Sequence, residues 1–184
     1  MERIHILAIS GSLRRVSSNG RLLRALAALA PEDLAIEFYD ELGELPHFNP
    51  DLEGSEPPSV LELRRRIREA DGVVISSPEY AHGVPGAMKN ALDWVVGSGE
   101  LVSKPVAVLN ASPMAAHADA SLRETLTVMS ARLSPEASVR MPLGAKNLDE
   151  AGLAANPEIA ELLRGALRAF AEAIKSARKA SAAA

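Results

Sequence analysis

The chain contains no cysteine in its 184 residues. That excludes disulfides, thiol nucleophiles, C-x-x-C redox pairs and thiolate-held metal clusters, so any redox chemistry has to come from a bound group. There is no excess of positive charge: the formal net charge is -4 and the pI about 5.6, which argues against a nucleic-acid binder, whose face would be basic. Long apolar runs are also missing. The opening "MERIHILAIS" carries Glu2 and only a short apolar stretch, too short and wrongly flanked for a signal peptide, and no spanning segment follows. A cytoplasmic protein, not bound to membrane, is the default expectation. What is present is enough apolar residue, 47% of the chain, to fill a core of one domain.

The apolar pattern alternates between strand-like and helix-like segments. "RIHILAIS" (3–10) is apolar and β-branched with hardly a polar break, as suits a strand covered on both faces. From about residue 18, Leu22, Leu23, Leu26 and Leu29 fall on one helical stripe that Pro31 closes. Further strands are predicted at 34–40, 71–77, 104–112 and 136–142, and helices at 59–70, 84–97, 118–132 and 157–178. A frayed tail is expected at 179–184, leaving one domain over 1–178. Strict β–α alternation calls for a parallel sheet with helices on both faces, because each parallel crossover needs a helix-length connection. The fold class expected is α/β, a flavodoxin-like three-layer sandwich with five parallel strands in the order 2-1-3-4-5. In such a sheet ligands sit at the carboxyl ends of the first and third strands.

The loops at that edge are chemically unusual. "SGSLRRVSSNG" (10–20) leads from the first strand into the first helix. A helix N-terminus with hydroxyls and guanidinium groups around it suits a phosphate. It is neither G-x-G-x-x-G nor G-x-x-x-x-G-K-[ST], so neither a dinucleotide fingerprint nor a nucleotide-hydrolysing P-loop is present. An ordinary cap by Ser17 or Ser18 explains the stretch equally well on its own. After the third strand, "SSPEYAHGVPGAMKNALDW" (76–94) holds two prolines and two glycines around Tyr80 and His82, a loop with little freedom that can present backbone groups to a planar ring.

These two stretches resemble the NADPH-dependent FMN reductase family, which includes flavin-bound quinone, azo-dye and chromate reductases. "GSLRRVSSN" (11–19) is similar to that family's phosphate loop, G-S-x-R-x-x-S-x-N. "PEYAHGVPGAMKNALDW" (78–94) is similar to its P-E-Y-N-x-x-x-P-G-x-L-K-N-A-[IL]-D-W block. The likeness runs over roughly residues 3–142. It implies that Ser12, Arg14, Ser17 and Asn19 bind the FMN phosphate, with Arg15 and Ser18 solvent-facing or capping. It also implies that Pro78, Glu79, Tyr80, Ala81, His82 and Gly83 lie along the isoalloxazine, largely through their backbone. Ala81 stands where the family commonly has Asn. Ser112, in the loop after the fourth strand, is assigned to the ring edge. Lys89, Asn90 and Asp93 are expected to tie the flavin loop down from behind, and Trp94 to sit in the core or a subunit interface.

The function implied is a flavoenzyme that takes hydride from NADPH or NADH and reduces small acceptors in a ping-pong cycle. The acceptors would be quinones, azo compounds, metal oxyanions or free flavin. A flavodoxin-type electron carrier or a flavin-binding redox sensor is the alternative. The mild charge and the 3% aromatic content, which leaves few rings to shield a flavin, favour the enzyme. A homodimer or homotetramer is implied by the resemblance alone. The four histidines, His5, His47, His82 and His117, show no helical H-x₃-H spacing, so no metal site is expected. "ELRRRIRE" (62–69) reads as a solvated helix face with intrahelical ion pairs.

Overall fold

The computed structural model describes residues 3–112, 114–141 and 148–182. Five parallel strands, β1 (Ile4–Ser10), β2 (Leu34–Tyr39), β3 (Gly72–Ser76), β4 (Pro105–Leu109) and β5 (Arg132–Leu133), form one sheet in the order β2-β1-β3-β4-β5. The flavodoxin-like order expected from the alternation is therefore present. β3 and β4 are buried along their whole length, which explains why their sequences show no polar alternation.

Two apolar layers lie on either side of the sheet. On one face, Ile4, Ile6, Ala8, Val74 and Ala107 pack under α1 (Ser18–Ala28), the short α5 (Glu150–Ala155) and the long α6 (Pro157–Ala182). On the other, Leu7, Ile9, Val73, Ile75 and Val106 meet α2 (Pro58–Glu69), α3 (Gly86–Val96) and α4 (Ala116–Val128). The inner faces of α2 and α3 are those expected: Val60, Leu63 and Ile67, and Met88, Leu92 and Val95.

Three expectations need correction. The fifth strand was expected at 136–142, but β5 is Arg132–Leu133. Pro135 cannot donate to a ladder, and a 3₁₀ turn at Pro135–Ala137 interrupts the edge. There the Ser138 hydroxyl accepts from Val108 N–H (3.0 Å). Pairing with β4's extension resumes at the Asn110–Arg140 bridge, so the expected segment supplies only that bridge. The last helix continues to Ala182, so 179–182 is helical rather than a frayed tail. α5, absent from the sequence reading, is six residues long, started by the Asp149 carboxylate accepting from Gly152 N–H (2.8 Å). No described helix is long and apolar enough to cross a membrane.

The charge run on α2 is paired as expected, and more widely than within one helix. Arg65 pairs with Glu62 and Glu69, while Arg66 reaches Glu62, Glu37 and Glu41. Hydrogen bonds from Arg65 and Arg66 hold the Glu62 carboxyl at about 2, well below its ordinary value. Arg64 leaves the solvated face, donating to the Trp94 carbonyl (2.7 Å) and to Glu56 (2.6 Å).

Candidate cofactor site

A cavity of about 390 Å³ opens at the carboxyl edge of the sheet, between the loops that follow β1, β3 and β4. Its volume falls in the range of small-molecule sites, roughly 300–1,000 Å³. Two of these loops are forced together at Gly11. Its N–H donates to the Ser76 carbonyl at 2.8 Å, and a Cβ built there would lie 2.3 Å from Ser77 Oγ and 2.8 Å from Ser77 Cβ. Only glycine permits that approach.

The first loop builds one end of the cavity. Ser17 caps α1, its Oγ accepting from Gly20 N–H at 3.0 Å, and Ser12 Oγ accepts from Arg14 N–H at 3.3 Å. Each hydroxyl keeps its own proton for another acceptor. The first-turn N–H groups of α1 have no helical partner and carry the positive end of the helix dipole. The Arg14 side chain is exposed and pairs with no acidic residue among those described. Hydroxyls, free N–H groups and an uncommitted guanidinium around one point suit a phosphate monoester, so the residues present fit the phosphate of a mononucleotide. Asn19 lines the same cavity and has a structural task as well. It is buried, and its Oδ1 accepts from Ser76 Oγ–H at 2.9 Å, which locks α1 to β3 at the cavity floor.

The second loop supplies Ser77, Pro78, Glu79 and Tyr80 to the lining. Glu79 Oε2 accepts from Ala118 N–H at 2.8 Å, capping α4 and tying this loop to the next. Ala81, His82 and Gly83 are not in the lining. They close a tight hairpin in which Tyr80 N–H donates to Gly83 O (3.1 Å) and Gly83 N–H to Tyr80 O (3.0 Å). The two central residues have positive φ, 49° at Ala81 and 60° at His82. This is the backbone of a type I′ turn, where Asn and Gly are favoured. The His82 ring stacks on His117 of α4, centroids 4.2 Å apart and planes 21° apart. The left-handed conformation costs a residue with a Cβ roughly 1–2 kcal/mol, and asparagine tolerates it. Ala81→Asn is therefore expected to stabilise the fold by about 1 kcal/mol. The check is a urea titration, in which the midpoint rises at an unchanged slope.

The third loop is closed by Asn110, which the sequence reading passed over. It is buried, its Nδ2 donates to Ala115 O (3.1 Å), and its Oδ1 accepts from Ser112 N–H (2.9 Å). Ser112 Oγ in turn accepts from Met114 N–H at 3.2 Å. Met114 and Tyr80, both in the lining and both largely exposed, give the mouth an apolar rim. The Asx turn could have been seen in "NASP", since Asn at a strand end commonly bonds the backbone two residues on.

The motif around Asn90 works elsewhere than expected. Asn90 Oδ1 accepts from Phe48 N–H (2.8 Å), and its Nδ2 donates to Pro46 O (2.9 Å). Trp94 Nε1–H donates to the same Pro46 oxygen at 2.7 Å. These residues therefore pin the loop after β2, not the loop after β3. Lys89 and Asp93 pair with each other at 2.6 Å. Trp94 is fully buried, with its ring edge-on to Phe48.

Fold and cavity together define a flavodoxin-like protein with a candidate site, suited to a mononucleotide phosphate, at the sheet's topological switch point. Residues 4–145 match the family of NADPH-dependent FMN reductases, and the chain belongs to that family. It is 36% identical over 115 residues to a quinone reductase of Escherichia coli, covering 60% of this chain and 61% of that protein. The chain thus spans about three fifths of the length of the quinone reductases of this group. It is 33% identical over 173 residues to an NAD(P)H-dependent FMN reductase of Pseudomonas aeruginosa, covering 91% of this chain and 93% of that one. Among solved structures it resembles the flavoenzyme NAD(P)H:(acceptor) oxidoreductase FerB of Paracoccus denitrificans. The TM-score is 0.81 at 34% identity, over 94% of this chain and 98% of that one.

Proposed function

We propose that this chain is an FMN-dependent oxidoreductase that takes electrons from NADPH or NADH and passes them to small acceptors. Quinones are the leading acceptor class, with azo compounds, metal oxyanions and free flavin behind them. The observation that carries the reading is the pairing, in one cavity, of a phosphate cradle at Ser12, Arg14 and Ser17 with an open, apolar mouth at Tyr80 and Met114. The family match and the relatives named above support it.

Bound FMN would supply the hydride-accepting and hydride-releasing chemistry. The chain's own work is to bind and orient. Arg14 with the Ser12 and Ser17 hydroxyls holds the phosphate. Pro78, Glu79 and Tyr80 form one wall, and Ser112 and Met114 the facing one. Glu79 and Asn110 hold those walls at fixed separation through Ala118 and Ala115. Ala81, His82 and Gly83 act by shaping the turn beneath Tyr80. No protein acid or base is needed for the arrival of hydride. With a single open mouth, donor and acceptor take turns in the same place, which is a ping-pong cycle. A homodimer or homotetramer, implied by the family likeness, is read by light scattering.

The test is a steady-state screen of acceptors with both nicotinamides, on protein whose flavin has been identified by spectrum and mass. Parallel lines in double-reciprocal plots against a quinone are expected. Intersecting lines would contradict alternate occupancy of one site.

A further inference from the structure

Both walls of the cavity are tied to the first turn of α4, and little in that turn's own sequence holds it in place. The helix is anchored further along by Leu122 and Leu126, which are buried in the apolar layer on that side of the sheet. The turn before them, "AHADAS" (116–121), offers no large apolar side chain. Its cap residue, Ala115, has no side chain that can accept a first-turn N–H. Yet this turn is engaged from two different loops. Ala115 O accepts from Asn110 Nδ2 (3.1 Å), and Ala118 N–H donates to Glu79 Oε2 (2.8 Å). His117 carries the His82 ring, centroids 4.2 Å apart. The wall from the loop after β3 and the wall from the loop after β4 therefore meet on one turn of helix.

Asp119 is the group that can fix that turn. Its side chain is 2% exposed, and a carboxylate is costly to bury unless it is paired. It accepts from Arg140 Nη2 at 2.7 Å and from Arg123 Nε at 3.0 Å. The two partners differ in what they join. Arg123 lies one turn along the same helix and, apart from a long 3.4 Å contact to Val108 O, keeps its bond within α4. Arg140 belongs to the far edge of the sheet. Asn110 N–H donates to Val139 O (2.8 Å) and Met141 N–H to Asn110 O (2.7 Å), which sets Arg140 opposite Asn110.

The Asp119–Arg140 bond thus closes a ring. The backbone of Asn110 holds the segment at 139–141, Arg140 holds Asp119, and the Asn110 side chain holds Ala115. The phosphate cradle stands outside this ring. It sits at the start of α1 and is joined to β3 through Gly11 and Asn19.

We propose that Asp119, through its bond to Arg140, is the positioning residue that sets the separation of the two cavity walls. It governs entry of the acceptor and the nicotinamide donor and leaves phosphate binding alone. This rests on the proposed use of the cavity by small acceptors and deepens it by naming what holds the mouth.

The experiment compares FMN-loaded Asp119→Asn, Arg140→Met and Arg123→Met with the wild type. Asp119→Asn is nearly isosteric and removes the charge. Arg140→Met removes the bond between elements and leaves Asp119 its Arg123 partner. Arg123→Met removes the bond within the helix and is the comparator. For the first two, KM for a quinone is expected to rise about tenfold with kcat per bound FMN within about twofold, and for Arg123→Met both should stay within about twofold of wild type. The ratio of FMN to riboflavin affinity should not change in any of them. Hydrogen–deuterium exchange read by mass spectrometry tests the same claim without turnover. Peptides covering 79–83 and 110–118 should exchange at least about fivefold faster in Asp119→Asn and Arg140→Met, and those covering 10–20 at the wild-type rate. A merely structural role would lower the thermal midpoint, speed exchange evenly along the chain and leave KM unmoved, which would overturn the proposal. Faster exchange in one wall alone would overturn it too, as would an effect of Arg123→Met equal to that of Arg140→Met. If Asp119→Asn does not fold, Arg140→Met carries the same outcomes. A wild type that reduces no quinone with either nicotinamide fails the functional reading, and the exchange pattern then still decides whether Asp119 sets the walls.

Discussion

Trp94→Ala is expected to destabilise the protein by about 3–5 kcal/mol, the range for deleting a large aromatic side chain from a core. The indole is fully buried on α3, and it makes three kinds of contact at once. It fills the layer beneath the sheet with Leu63, Val95 and Leu101. It stands edge-on to Phe48, with centroids 5.1 Å apart. Its N–H donates to Pro46 O, an oxygen that also accepts from Asn90. The loss is a fifth or more of a typical net stability of roughly 5–15 kcal/mol. Circular dichroism is the right probe, because Trp94 is the only tryptophan and its variant has no indole fluorescence to follow. Trp94→Phe keeps most of the buried area and loses the hydrogen bond, so it should cost about 1–3 kcal/mol through the deleted contact and the smaller ring. If Trp94→Ala unfolds at the wild-type midpoint, the loop at 46–48 is not held as described.

Arg14→Ala is expected to weaken FMN binding by about tenfold to a hundredfold, the equivalent of one charge-assisted contact of about 1.5–3 kcal/mol. Arg14 is exposed and pairs with no described acidic side chain, so its removal should leave the fold intact. The sharper readout compares FMN with riboflavin, which lacks the phosphate. The wild type should prefer FMN, and Arg14→Ala should lose most of that preference while riboflavin affinity holds. A variant that purifies fully loaded with FMN would contradict the assignment of the cradle. Asn19→Ala differs in kind: it breaks the buried bond to Ser76 and is expected to lower stability and FMN content together.

These two sites show what can be read from sequence and what cannot. The sheet was legible because β3 and β4 are apolar without interruption and each is followed by a helical stripe. The positions of the ligand loops then followed from strand order. β5 was misplaced because its edge is only two residues long, cut by Pro135 and completed through a serine hydroxyl. No periodicity signals that. In the site, the loops that meet at the cavity were legible, and several of their side chains carry structural tasks that were not. Glu79 looked like a ring contact and is also a helix cap reached across 39 positions. His82 and Gly83 looked like wall and are turn. Asn90 looked like a brace for the loop after β3 and braces the loop after β2. Each of these tasks depends on which loop lies within about 3 Å, a matter of tertiary approach that residue type alone does not carry.

The central claim is that this cavity holds FMN as a working redox centre open to a nicotinamide donor. It is tested most directly by adding NADPH, and separately NADH, to the FMN-loaded protein without oxygen and following the flavin absorption band. Rapid bleaching by at least one donor, reversed on adding a quinone, is the predicted result. A flavin band that neither donor bleaches would contradict the account and leave an electron carrier or a flavin-binding sensor in its place.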